Sequence, residues 1–155
     1  MELRVVALGH RMPAWITAGW NEYARRMPRD FALTLVALKP EPRESAKPVA
    51  SMLAAEATRI AAACKGALVV ALDEHGQNWT TRKLADRLAR WRDDARDVAF
   101  VIGSADGLAE AVKRDAEAVV SLSAMTLPHG LVRVLLAEQL YRATSLLAGH
   151  PYHRE

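Results

Sequence analysis

A chain of 155 residues that is 51% hydrophobic and 25% charged is long enough for a single compact α/β domain, 1–155, with a proper core. Its apolar runs are five or six residues long, far short of the roughly 18–20 that cross a bilayer, so no membrane span is expected. The formal net charge of +3, with a sequence pI near 9.3, permits a nucleic-acid partner without establishing one. Met1 leads straight into an apolar run with no basic segment, longer apolar stretch and cleavage site after it. Export is therefore not expected and a cytoplasmic location is. The single cysteine, Cys64, has no partner for an intramolecular disulfide and reads as a small buried hydrophobe.

In chain order, residues 3–8 read as a first buried strand, 14–27 as a helix and 31–38 as a second strand. Residues 39–48 hold Pro40, Pro42 and Pro48 among charged side chains and are predicted to be a mobile surface loop. A helix over 49–64 and a strand over 67–72 follow, then a helix over 81–93 whose Leu84, Leu88 and Trp91 recur at helical spacing. Residues 98–102 form a fourth strand, 109–115 a helix, 118–122 a fifth strand and 131–147 the last helix. Alternation of this kind predicts a mainly parallel sheet flanked by helices, with ligands beyond the carboxyl ends of its strands. Trp15, Trp20, Trp79 and Trp91 are scattered through the chain, and core packing is expected of them.

Three strand ends suit a small-molecule site. Strand 98–102 runs into Gly103-Ser104-Ala105-Asp106-Gly107, where two glycines allow a sharp turn and close approach to a ligand, although such a sequence is most often only a turn. Strand 67–72 ends in Asp73-Glu74-His75-Gly76-Gln77, and strand 118–122 in Ser123-Ala124-Met125-Thr126-Leu127-Pro128-His129. The latter offers open backbone groups to an adenine edge or a methionine-like amino acid, or is an ordinary strand-to-helix loop. The dinucleotide fingerprint and the phosphate loop are both missing.

The helix over 131–147 is apolar at nearly every position, with Arg133 and Arg142 nine residues apart and so on opposite faces. Such a helix is buried on both sides, within a large core or against a partner chain, and in a chain this short a homodimer interface is the better explanation. His129, His150 and His153 lie near Arg133, Arg142, Tyr152 and Arg154 in the final portion. Pro151 breaks any regular pair of histidine ligands, so no metal site is expected. A cationic site with an aromatic platform, suited to a phosphodiester and a looped-out base, fits better.

Together these residues resemble the ribosomal RNA large-subunit methyltransferase H family, of the SPOUT class, over essentially the whole chain. The resemblance is carried by Val5-Val6-Ala7-Leu8-Gly9 with Met12-Pro13, by Glu22-Tyr23 with Arg25-Arg26, by Leu72-Asp73 and by Gly103. Above all it rests on the run from Ser121 through His129 with Leu131-Val132-Arg133-Val134-Leu135, Ala137-Glu138, Leu140-Tyr141-Arg142-Ala143 and the ending His150-Pro151-Tyr152-His153-Arg154-Glu155. It implies a SPOUT domain with a C-terminal trefoil knot, an obligate homodimer and S-adenosyl-L-methionine as cofactor. By the same resemblance the cofactor sits against Leu72, Gly103, Leu122, Ser123, Ala124, Met125, Thr126 and Leu127, and the tail helps form the substrate site. The implied acceptor is N3 of a pseudouridine in 23S rRNA of the assembled ribosome. One departure is the turn after the fourth strand, commonly Gly-Gly-Pro-Glu-Gly in the family. Ser104 tolerates a positive φ less well than glycine, so cofactor affinity is expected to feel the change.

N3 of pseudouridine carries a proton that must leave before the nitrogen can attack, so the site needs a proton acceptor and positive groups for the imide anion. His129, directly after the cofactor loop, and His153 are rival bases. Arg133 is expected to support an anionic ring or a phosphate, and Arg154 with Tyr152 to hold the RNA backbone and stack a base. Arg142 either reaches the partner's cofactor pocket or forms an i,i+4 pair with Glu138. Two other functions fit the sequence less well: a non-catalytic ribosome-binding protein, and a SPOUT methyltransferase acting on another RNA site.

Overall fold

The structure, a computed structural model, describes residues 1–44 and 46–152. His153 and Arg154, two of the site residues expected from the sequence, lie outside the described residues. Ten elements follow one another as β1 Glu2–Leu8, α1 Ala14–Ala24, β2 Ala32–Leu38, α2 Val49–Ala63, β3 Leu68–Asn78, α3 Thr81–Asp93, β4 Val98–Ile102, α4 Glu110–Arg114, β5 Ala118–Ser121 and α5 His129–Leu147. The five strands form one sheet in the order β2-β1-β4-β3-β5, with every pairing parallel. The expected α/β class is therefore the observed one.

Side-chain alternation explains the layering. In β1, Leu3, Val5 and Ala7 point to one face, where they pack with Trp20 of α1, Leu84, Leu88 and Trp91 of α3, and Leu136, Leu140 and Ala143 of α5. Val6 and Leu8 point to the other, against Ile60 of α2, Cys64 and Leu108. Helices on both faces leave the central strand β4 buried at all five residues, which is why Val98–Ile102 carries no polar side chain. Full burial of one such Val, Ile or Phe contributes roughly 1.5–3 kcal/mol. α3 starts cleanly because the Thr80 side chain accepts a hydrogen bond from the Lys83 amide at 3.1 Å.

α5 packs against both α1 and α3 on top of the sheet. Its buried residues include Arg133, Leu136, Ala137, Leu140, Ala143, Thr144 and Ser145, and among its side chains only Leu147 is exposed. Much of its all-round apolarity is thus satisfied inside one chain. Among the described residues no helix is long and apolar enough to cross a membrane.

Two expectations change, and one segment makes contacts the sequence did not show. Trp15 is 61% exposed rather than a core residue, because Ile16 and Trp20, four residues apart, take the inward face of α1 and a neighbour at about 100° falls outside it. In the proline-rich segment, Arg43 pairs with Asp106 at 2.8 Å and with Glu56 at 3.4 Å, and Arg59 of α2 pairs with Glu41. β3 does not end at Leu72. It runs to Asn78, with Leu72 and Gln77 both opposite Val120, so that Asp73–Gly76 stands out from the ladder as a bulge. Gly76 is required there, since a Cβ would lie 2.7 Å from the Val120 backbone.

Candidate active site

The bulge of β3 and the carboxyl ends of β4 and β5 open into a cavity of about 790 Å³. Each wall has a local cause. After β4 the chain turns back on itself, and the Gly107 amide donates to the Ser104 carbonyl at 2.9 Å. Gly103 makes this possible, because a Cβ at that position would lie 2.5 Å from the Gly107 carbonyl oxygen. Gly107 takes the positive φ of 82°, and among the described residues Ala95 is the sole non-glycine with a positive φ. Ser104 thus escapes the conformational cost expected of it. After β5, the Ser121 hydroxyl donates to the Ser123 carbonyl at 2.8 Å, and the Met125 amide donates to the Ser123 hydroxyl at 2.9 Å. These bonds fix the 122–127 loop as the third wall.

Seven of the eight residues expected to hold the cofactor line the cavity: Leu72, Gly103, Leu122, Ser123, Met125, Thr126 and Leu127. Ala124 does not. Beside them stand Asp73, Glu74, Asp106 and Glu110, with Lys113 the one lysine in the wall. Lys113 bridges Glu110 at 2.9 Å and Asp73 at 3.5 Å, and those carboxylates raise its pKa against the opposing effect of burial. Apolar side chains, open backbone groups and an acidic surplus fit a nucleoside-sized ligand that carries a positive charge, as a sulfonium does.

His129 opens α5 and lines the same cavity. Its Nε2 atom is buried and has no hydrogen-bond partner among the described residues. Burial is the main reason its pKa lies below the ordinary value of 6.5; the Leu8 backbone opposes that shift and the Arg133 charge adds to it. Arg133, one turn along, is 2% exposed. It donates to the Gly9 carbonyl through Nη2, while its Nε is buried and has no partner among the described residues. Burial lowers its pKa too. Gly9 (φ +128°) is where the two meet, since a Cβ there would lie 3.0 Å from Arg133 Nη2 and 3.3 Å from His129 Nε2.

Arg142 and Tyr152 form a separate group. Arg142 pairs with Glu138 at 2.6 Å and lies 5.0 Å from the centre of the Tyr152 ring, and the Tyr152 hydroxyl donates to Glu138 at 3.2 Å. Burial and the Glu138 charge push the phenol up to about 12. Thirteen residues of helix separate Arg142 from His129, about 20 Å at the usual rise. Within one chain, then, Arg142 and Tyr152 are not brought to the cavity. Sequence reasoning gave no role to Arg43, Glu56 or Lys113, whose neighbours are remote in sequence. Among the described residues no three histidine, cysteine or carboxylate side chains gather as a metal site.

A parallel sheet closed by this cavity and by a last helix carrying His129 and Arg133 defines the class. The family model described as "Predicted SPOUT methyltransferase" matches residues 1–153. The fold is shared with a probable methyltransferase from Bordetella pertussis Tohama I, with a TM-score of 0.61 at 21% identity over 91% of this chain and 95% of that one. It is shared also with tRNA (m1G37) methyltransferase from Aquifex aeolicus, with a TM-score of 0.58 at 14% identity over 100% and 76% of the two chains. Proteins named ribosomal RNA large subunit methyltransferase H from Burkholderia mallei (strain SAVP1) and Burkholderia pseudomallei (strain 668) are each 57% identical over 155 residues, 99% of both chains. The chain belongs to the ribosomal RNA large subunit methyltransferase H family of SPOUT methyltransferases.

Proposed function

We propose that this protein transfers the methyl group of S-adenosyl-L-methionine to N3 of a pseudouridine in 23S rRNA, acting in the cytoplasm on the assembled ribosome. The observation that carries the reading is the pair of buried atoms without a partner among the described residues, His129 Nε2 and Arg133 Nε, one turn apart on α5, with His129 itself lining the cavity that suits a sulfonium nucleoside. Buried polar atoms are normally paired, and two orphans together mark a place where a ligand completes the bonding. A pyrimidine ring with an acidic imide supplies what both lack.

When bound, the cofactor supplies an electrophilic methyl carbon. The protein's own residues do the rest. Cavity walls at Leu72, Gly103 and 122–127 orient the donor, and the carboxylates around Asp73 favour its positive charge. His129, neutral through burial, accepts the N3 proton at Nε2. Arg133 stabilises the negative charge left on the imide and so favours the deprotonated ring. Distance along α5 keeps Arg142 and Tyr152 out of their own chain's cavity, which supports a homodimer in which one chain's tail, including His153 and Arg154, serves the other's cofactor loop. Exposed Trp15 and Leu147 supply apolar surface for such a contact. The C-terminal trefoil knot follows from the same family reading.

The test is transfer of labelled methyl groups to ribosomes, separated subunits and naked 23S rRNA, followed by nucleoside analysis. Label in 3-methylpseudouridine is expected. Label in another nucleoside would move the reading to a different RNA site, and no transfer together with no cofactor binding would leave a non-catalytic ribosome-binding protein.

A further inference from the structure

The side chain that replaces a glycine of the family pattern, Ser104, is not idle. Its hydroxyl donates to Glu56 Oε1 at 2.9 Å and accepts from Arg43 Nη2 at 2.6 Å. Glu56 is 2% exposed in the middle of α2, and it also accepts from the Glu41 backbone amide at 3.0 Å and from Arg43 at 3.4 Å. Arg43 continues to Asp106 at 2.8 Å and to the Glu41 carbonyl at 2.9 Å. A buried carboxylate, a cation and a hydroxyl thus satisfy one another and join three segments: α2, the proline-rich loop and the 103–107 turn.

Two of the residues held, Ser104 and Asp106, line the cofactor cavity, whereas none of residues 39–44 does. A turn of five residues that includes two glycines has many conformations open to it, and ordering it on binding would cost affinity. We infer that Glu56 and Arg43 are positioning residues that act through Ser104, holding the 103–107 turn ready for the adenosyl cofactor and coupling the proline-rich loop to its binding. This rests on the cofactor assignment above. Because coupling is reciprocal, the cofactor must in turn steady a loop that it does not touch.

The experiment uses the full chain and S-adenosyl-L-methionine in calorimetry, with Ser104→Ala, Ser104→Thr and Glu56→Gln. Ser104→Ala and Glu56→Gln each remove a charge-assisted link and should weaken binding about tenfold. Ser104→Thr returns the hydroxyl and should recover most of the affinity. The KM for the cofactor should rise with kcat nearly constant, a split that simple loss of folded protein would not produce. Hydrogen exchange in the parent should show cofactor protection of peptides covering residues 39–44, lost in Ser104→Ala. Folded Ser104→Ala with the parent's affinity, or no cofactor effect on 39–44, would overturn the inference. A parent chain that binds no cofactor would instead defeat the methyltransferase reading.

Discussion

Arg133→Met separates function from stability. The guanidinium is 2% exposed, has the Gly9 carbonyl as a hydrogen-bond acceptor and, among the described residues, has no carboxylate paired with it. Sequestering such a cation costs several kcal/mol, against about 1.5–3 kcal/mol returned by a bond between a charged donor and a carbonyl. Methionine keeps much of the volume and all of the apolar stem, so the exchange should be neutral or stabilising by about 1–3 kcal/mol. For a chain of this size that corresponds to a rise in Tm of up to about 10 °C. Methyl transfer should fall by at least about a hundredfold if the charge supports the imide anion, as loss of one oxyanion-stabilising donor does elsewhere. The assay pairs thermal melting with single-turnover transfer to ribosomes at saturating cofactor. A Tm lowered by several degrees would show that Arg133 is held for the fold and would refute the argument from its buried charge.

Gly103→Ala drives a Cβ to 2.5 Å from the Gly107 carbonyl, and calorimetry should show cofactor binding weakened about tenfold or more. Gly107→Ala meets no atom within 4 Å and should cost about 1–2 kcal/mol of stability through its positive φ, with far less effect on binding. Burial holds folded His129 below its ordinary 6.5, so as pH falls the unfolded chain takes up that proton first. Stability present above about pH 6.5 is then lost as pH falls toward the depressed value, and denaturant melts of His129→Gln should lack this part of the decline. Assembled ribosomes should accept methyl groups far better than naked 23S rRNA, since a chain with a net charge of +3 gains little from phosphates alone; equal labelling of both would count against it. Mixing a Gly103 variant with an Arg154 variant should restore up to half the activity per mixed dimer if loop and tail meet across chains, and verified heterodimers that stay inactive would reject that arrangement.

The fold was readable because its strands are bare apolar runs. Val98–Ile102 is buried at every position, and nothing in the sequence competes with a strand there. β3 was cut short because Asp73–Gly76 breaks the apolar pattern, and only the partner strand shows that pairing resumes at Gln77. The cavity walls were legible in another way. Small and hydroxyl-bearing residues after β5 allowed a ligand loop or an ordinary turn, and the family resemblance decided between them. Hidden entirely was the link from Glu56 to Ser104, 48 residues apart. A glutamate in a helix reads as solvent-facing unless something meets it. That something is an arginine from a segment with no periodicity and a hydroxyl in a turn, neither of which carries a pattern. Arg133 shows the same limit from the other side. α5 is apolar nearly all round, so periodicity marks no inward face, and a long aliphatic stem lets an arginine sit among buried side chains without standing out in the sequence. Whether the charge at its tip has been paired or left waiting depends on Gly9, 124 residues earlier. Chemistry of that kind is set by where the chain returns, so the site becomes visible only when β1 and α5 are seen side by side.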